Sequence, residues 1–195
     1  MLMLAIAVVS PARTETLLER GAYLMNGAAG CGNCHSPFGA NGPIDPELSG
    51  GPAIVTPVFT AHPPNITPDT ETGIGTWTDQ QIITAIRDGK RPDGTVIRPP
   101  MPVGLYRGIS DTDVRAIVAY LRSVPAVHHQ VPAADYRIPV PPGYGPPVGS
   151  VPEVPRTDRV AYGAYLGRMA HCLHCHTPLN SKGAEFIPIS NLLCL

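Results

Sequence analysis

Lysine is almost missing from this chain. Among its 195 residues only Lys90 and Lys182 are lysines, and the other twelve basic side chains are arginines. A docking face ringed by lysines is excluded by count, whereas an arginine patch is not. Charge of either sign is sparse: 15% of residues are charged and the formal net charge is -1. With so few, scattered cations, a phosphate-binding stripe of the nucleic-acid type is excluded. Long apolar runs are missing too. Beyond the first dozen residues no segment approaches the roughly 20 apolar residues that span a bilayer.

Proline and glycine are abundant instead, at 24 and 20 residues. Both interrupt regular structure, so the pattern predicts short helices separated by turns and extended segments. The hydrophobic share of 43% is enough for a globular core. Residues 1–13 read as a secretory signal, with apolar Leu2 to Val9 followed by small Ser10 and Ala12. A short buried helix or an uncleaved anchor are the alternatives there.

The five cysteines carry most of the information. Four form two matching patterns, Cys31-Gly-Asn-Cys34-His35 and Cys172-Leu-His-Cys175-His176; the fifth is Cys194. "GAYL" precedes both motifs, at Gly21–Leu24 and Gly163–Leu166, and "CHSP" matches "CHTP". This is an internal duplication. Between the copies nine prolines fall from Pro125 to Pro155. That composition predicts an extended strap. Val131, Tyr136, Ile138, Val140 and Tyr144, interleaved with the prolines, predict that it lies against a domain surface.

Three helices are expected in the first copy. One covers about Thr14 to Asn26, with Leu17, Leu18, Leu24 and Met25 as its apolar stripe. Another starts at Thr78, where Thr78 and Gln81 form a capping box, and stops at Gly89. A third starts at Ser110, presents Val114, Ile117, Val118 and Leu121 at helical spacing, and ends before Pro125. No strand pattern stands out between the first motif and the second helix.

Two thiols three residues apart on one turn can add to both vinyl groups of a haem, and the histidine that follows is then held beneath the iron. Cys-x-x-Cys-His therefore reads as a c-type haem attachment site. A shared zinc site would draw two Cys-x-x-Cys pairs around one ion. Here the pairs lie 141 residues apart and each has its own histidine. A thioredoxin-like pair would need a βαβ setting, which is absent. For a sixth ligand, Met101 is the candidate: it follows the first motif in "RPPMPVGLY", between prolines that stiffen the loop. The competing role for Met101 is filling a gap in the core. The remaining histidines, His62, His128, His129, His171 and His174, have no ligand spacing, and His128-His129 reads as solvated.

The stretches "RGAYL", "CGNCHSP", "NITPDTETGIGTW", "PPMP" and "ISDTDVRAIVAYLRSVP" resemble the multihaem cytochrome c subunits of membrane-associated bacterial dehydrogenases, of the alcohol, gluconate, aldehyde and nicotinate type. The resemblance covers Arg20 to about Pro125 and begins again at Arg159. It implies a mainly α, class I-like cytochrome c domain over residues 14–125, a proline-rich linker over 126–158, and an incomplete second domain over 159–195. It also implies haem c on Cys31 and Cys34 with His35 and Met101 as axial ligands, and a second haem on Cys172 and Cys175 with His176. Gly21, Tyr120 and Leu121 fit a crossing of the first and last helices. Trp77 fits either a hydrogen bond to a haem propionate or simple packing on the haem edge.

The implied function is electron transfer from a periplasmic dehydrogenase subunit toward quinone or an oxidase, in the periplasm or at the outer face of the cytoplasmic membrane. The alternative is a peroxidase-like or inorganic-substrate haem enzyme using an open second iron. The second copy departs from the pattern. It lacks the Asn-Ile-Thr-Pro-Asp segment and a methionine loop, so it is expected to be truncated and to have no distal ligand.

Overall fold

Thr16 decides where the first helix begins. Its hydroxyl accepts the Glu19 N–H, and the Glu19 carboxylate accepts the Thr16 N–H. In the computed structural model, which describes residues 14–45, 47–139, 142–172 and 176, helix α1 therefore spans Leu17–Asn26. The expected start at Thr14 is three residues early. The proposed signal, Cys175 and Cys194 lie outside the described residues.

Further helices are α2 (Gly32–His35), α3 (Asp79–Asp88), α4 (Val103–Tyr106), α5 (Asp111–Ser123) and α6 (Arg159–Met169). Thr78 and Gln81 close a capping box on α3, and Gly89 ends it in the left-handed conformation at φ 64°. Ser110 caps α5 by accepting the Asp113 N–H. The fold is mainly helical and class I cytochrome c-like.

Short strands also occur, where no strand pattern was expected. β1 (Phe38–Gly39) pairs antiparallel with β2 (Gly42–Pro43). β3 (Ile54–Val55), β4 (Phe59–Ala61) and β5 (Asp135–Tyr136) form a second sheet in the order β3-β4-β5. Strands of two or three residues are too short to express an alternating pattern, and turn geometry sets them instead.

Helices α1 and α5 cross at Gly21. A Cβ there would stand 2.1 Å from the Ala116 carbonyl oxygen and 2.9 Å from the Tyr120 Cβ. Only glycine allows the two backbones this close. Around the crossing, Leu24 and Met25 of α1, Ile82 of α3, and Val114, Ile117, Val118 and Leu121 of α5 form the core. Leu17 and Leu18 are half exposed and do not belong to it. The buried face of α1 starts only at Arg20.

Arg20 is itself buried, and its guanidinium grips Asp113 of α5 with two bonds, Nε to Oδ1 at 2.7 Å and Nη2 to Oδ2 at 2.8 Å. Tyr165 of α6 donates its hydroxyl to the same carboxylate at 2.6 Å. Met169 at the end of α6 is 1% exposed and joins the core. The leading helix of the second copy thus packs into the first.

The proline-rich strap is fastened along its length. Val148 N–H donates to Asp88 at 2.7 Å, and Ser150 Oγ donates to Asp111 at 2.7 Å. Asp111 N–H donates to the Val151 carbonyl at 2.9 Å. Tyr144 covers Gly89, where a Cβ would meet its ring at 2.7 Å. His128 is exposed, but His129 is not simply solvated. Its Nδ1–H donates to the Ser49 carbonyl at 2.7 Å, and its backbone N–H donates to Thr72 Oγ1 at 2.9 Å.

Two expected outcomes follow from these contacts. Gly21→Ala forces α1 and α5 apart and lowers unfolding stability by about 1–3 kcal/mol, read by chemical denaturation. Asp111 is held down to about 2 by the Ser150 hydroxyl, the Arg87 guanidinium and the Val151 N–H. A depressed carboxylate contributes stability that is present above its unfolded value near 4 and is lost as pH falls toward 2. The melting temperature of Asp111→Asn is therefore lower than the parent's at pH 6, and the gap narrows between pH 4 and pH 2.

Candidate haem site

The first motif sits on a turn shaped from both sides. Gly30 adopts φ +53°, which sends the chain from α1 into α2. Beneath α2 the backbone of Gly50 and Gly51 passes very close. Gly50 N–H donates to the His35 carbonyl at 2.7 Å. A Cβ on Gly51 would lie 1.6 Å from the Cys34 carbonyl oxygen, so no other residue fits without moving the motif. Ser36, fully buried, accepts the Leu48 N–H at 2.9 Å and closes the loop.

His35 is oriented by Pro64, the residue just before the Asn65-Ile66-Thr67-Pro68-Asp69 segment. Its Nδ1–H donates to the Pro64 carbonyl at 2.8 Å. That bond fixes the tautomer and leaves Nε2 with its lone pair, the form that ligates a metal. Burial lowers the His35 pKa, against the opposing pull of the Pro64 carbonyl, so the ring is neutral at pH 7.

Pro64 is steadied by its neighbour. Asn65 Oδ1 accepts the Thr67 N–H at 2.9 Å and the Thr67 hydroxyl at 2.8 Å. Asn65 Nδ2 donates to the Val127 carbonyl at 2.7 Å and to Thr72 Oγ1 at 3.0 Å. Asp69 in turn accepts the Thr72 N–H and hydroxyl, each at 2.7 Å. Asn65 is 2% exposed and Thr67 fully buried, so the bonds between them are shielded from water.

Met101 lies in the loop before α4. Its carbonyl accepts the Val103 N–H at 2.9 Å. The strap holds the same loop: Tyr136 of β5 donates its hydroxyl to the Pro99 carbonyl. Arg98 lies over the Tyr136 ring, 5.2 Å from its centroid.

Cys31, Cys34, His35 and Met101 all line one cavity of about 750 Å³. Its walls are mainly apolar, with Ile66, Ile74, Trp77, Ile82 and Leu121 among them, and Arg91 and Arg98 supply cations. This volume is within the range of sites that enclose a cofactor. Burial pushes the Cys31 thiol up to about 12, with the nearby Cys34 adding to the rise, and burial raises Cys34 as well. Redox-active Cys-x-x-Cys pairs show the opposite shift. Among the described residues no three His, Cys, Asp or Glu side chains gather as a cage for a bare metal ion. The donor set, the shape and the apolar lining fit a haem.

Of the other sequence candidates, Trp77 walls the cavity and packs on the core. Cys172 and His176 are exposed, and Cys172 is a free thiol. Cys175 is outside the described residues. Sequence reasoning missed Tyr106 and His171, which also line the cavity. Nothing in the spacing marks either one.

A helical shell with a cavity walled by a Cys-x-x-Cys-His turn fits a covalent haem domain. The family model for cytochrome c matches residues 18–125, and the chain belongs to the cytochrome c family. Haem c is the cofactor of that family.

The chain is similar to a subunit of the nicotinate dehydrogenase of Pseudomonas putida, 35% identical over 184 residues, covering 88% of this chain and 15% of the relative. It is similar to the fructose dehydrogenase cytochrome subunit of Gluconobacter japonicus, 34% identical, covering 84% of this chain and 35% of the relative. It is also similar to the cytochrome c subunit of the quinone alcohol dehydrogenase of Gluconobacter oxydans, 34% identical, covering 84% of this chain and 36% of the relative. The chain thus spans about a third or less of the length of these relatives.

Asn65→Ala tests the hydrogen-bonded segment beside Pro64. It strips two buried acceptor bonds from Thr67 and releases Pro64. The expected result is a loss of about 1–3 kcal/mol in unfolding stability, together with a broadened set of His35 ring orientations visible in the NMR spectrum. A sharp single ring resonance and unchanged stability would contradict it.

Proposed function

We propose that the chain is a c-type cytochrome electron-transfer unit that takes electrons from a dehydrogenase catalytic subunit and passes them toward a quinone or an oxidase. The observation that carries this reading is that two attachment thiols, a histidine with Nδ1 engaged, and a loop-held methionine meet on one apolar cavity. The relatives' names, as cytochrome subunits of dehydrogenases, support the donor.

In this reading Cys31 and Cys34 would hold haem c through thioethers, and His35 and Met101 would ligate its iron. The haem supplies one-electron chemistry, and methionine–histidine ligation raises its potential. The protein's share is to exclude water, fix the His35 tautomer through Pro64, and hold Met101 still through Tyr136 and the strap. Rigid ligands keep reorganisation small when charge moves. Cys172, Cys175 and His176 are read as a second attachment site.

Among the described residues no helix is long and apolar enough to cross a membrane. We place the domain outside the cytoplasm, in the periplasm, because c-type haem is attached there. The first thirteen residues fit a secretory signal.

The deciding experiment is Met101→Ala in haem-loaded protein. The oxidised parent shows a methionine-to-iron charge-transfer band, and the variant lacks it. The variant's midpoint potential falls by at least the 59 mV that corresponds to tenfold for one electron. A parent without that band would sink the Met101 assignment, and a Cys31–Cys34 peptide without haem mass would sink the whole reading.

A further inference from the structure

We propose that His171 is a positioning residue of the first haem site, so that the leading helix of the second copy is a working part of the first copy's redox centre. The proposal rests on reading the 750 Å³ cavity as that site.

His171 stands directly before Cys172, the first attachment cysteine of the second motif. Yet it lines the same cavity as His35 and Met101. Its Nε2 lies 2.6 Å from the Tyr106 hydroxyl oxygen, and the two rings are tilted with centroids 5.2 Å apart. Tyr106 is 4% exposed, and its hydroxyl also reaches the Ala29 carbonyl at 3.3 Å. A hydroxyl has one proton and a carbonyl only accepts. The arrangement that satisfies all three groups has His171 Nε2–H donating to Tyr106, and Tyr106 O–H donating to Ala29. Ala29 lies two residues before Cys31. A hydrogen-bonded chain, half-buried at His171 and buried at Tyr106, therefore runs from the doorstep of the second motif to the doorstep of the first.

The placement is held from several sides. Tyr165 anchors α6 on Asp113, and Met169 is sunk in the core. The helix then ends with Ala170 N–H on the Leu166 carbonyl at 2.8 Å and His171 N–H on the Arg168 carbonyl at 3.2 Å. His171 itself takes φ +61°, a left-handed conformation uncommon outside glycine. Backbone placed in such a region persists where surrounding contacts over-determine it, and such positions cluster at functional sites.

The role follows from charge. An oxidised haem carries one more positive charge than a reduced one, and water stabilises the more charged form. A wall that satisfies its own polar atoms keeps water out and favours reduction. Removing the His171–Tyr106 bond leaves a buried polar atom that recruits water, and the potential falls.

The test uses the full-length, haem-loaded chain with Cys172→Ser and Cys175→Ser, so that the first motif is the sole attachment site. Tyr106→Phe and His171→Asn are each expected to lower the one-electron reduction constant at least threefold, about 30 mV at 59 mV per tenfold. Asparagine is chosen because it tolerates the left-handed turn and its amide stops short of where the imidazole Nε2 reaches. The double variant shifts no further than the larger single, since both break one chain. His171→Gln, whose longer side chain keeps an N–H donor in reach, retains the parent potential. Unmoved potentials in the two singles, or shifts that simply add, overturn the proposal. Should His171→Asn fail to take up haem, Tyr106→Phe decides alone, because it removes one oxygen and leaves the packing. A Cys31–Cys34 peptide without haem overturns the site reading as well, whereas haem present with unmoved potentials overturns the positioning role alone.

Discussion

The buried pair between Arg20 and Asp113 is the constraint on which the rest of this structure depends. Both side chains are nearly excluded from water, at 7% and 5% exposure. Removing one partner of such a pair leaves an uncompensated charge and costs about 3–5 kcal/mol. The pair does more than join two helices. It sets the rotation of α1 about its axis beside the Gly21 crossing, and α1 leads directly through Met25 and Ala29 into the Gly30–Cys31 turn. A small rotation at Arg20 would be passed on to Cys31 and Cys34. Tyr165, donating to the same carboxylate, ties the α6 helix to this joint, so one carboxylate registers three helices at once.

The cavity is supported on both sides by long-range hydrogen bonds. Around Cys31, Cys34 and His35 they run from Gly50 to His35, from His35 to Pro64, and from Asn65 to Val127 of the strap. Around Met101 the strap holds again, with Tyr136 reaching Pro99. Prolines remove some of this segment's backbone donors, and several of those that remain are used outward, toward Asp88, Asp111 and Thr72. Proline's restricted φ helps here, because a strap that is already extended loses little entropy when it is fastened. Ala134, Tyr136 and Pro142 of this segment line the cavity shared by Cys31, His35 and Met101.

The capping residues were legible because a cap is a local event. Thr78 with Gln81, Ser110, and the stop at Gly89 act within one turn, and the structure has them where the pattern put them. The turn that carries Cys31, Cys34 and His35 is compact for the same reason: its residues lie within five positions and share one short helix and its N-cap. What could not be read was long-range. The α6 helix has apolar residues spread around it, so no stripe announced that Met169 would be buried. β5 is two residues long and finds β4 across more than seventy residues of chain. Leu17 and Leu18 matched the stripe of α1 by period, but the core does not extend past Arg20 to cover them. Tyr106 and His171 are brought together by tertiary packing alone, and neither belongs to a motif.

The duplication has a consequence for how the two copies relate. Identical tetrapeptides, GAYL, open both copies, yet they do opposite jobs. In the first, Gly21 is pressed against Ala116 and the helix's buried face begins at Arg20. In the second, Gly163 meets nothing within 4 Å, and the helix turns instead on Tyr165 and Met169 to dock on the first copy. The same sequence thus serves once as a domain's own first helix and once as a clasp on its neighbour. Burying Met169, which is unbranched and fits irregular gaps, is what lets the clasp seat in a core built around α1 and α5. Because the clasp ends at His171 and the second motif begins at Cys172, whatever holds the clasp also fixes where the second motif starts relative to the first cavity. Two beads on a flexible string would need a partner to bring their centres together. Here the distance from the first cavity to the start of the second motif is set by side chains already buried in one core.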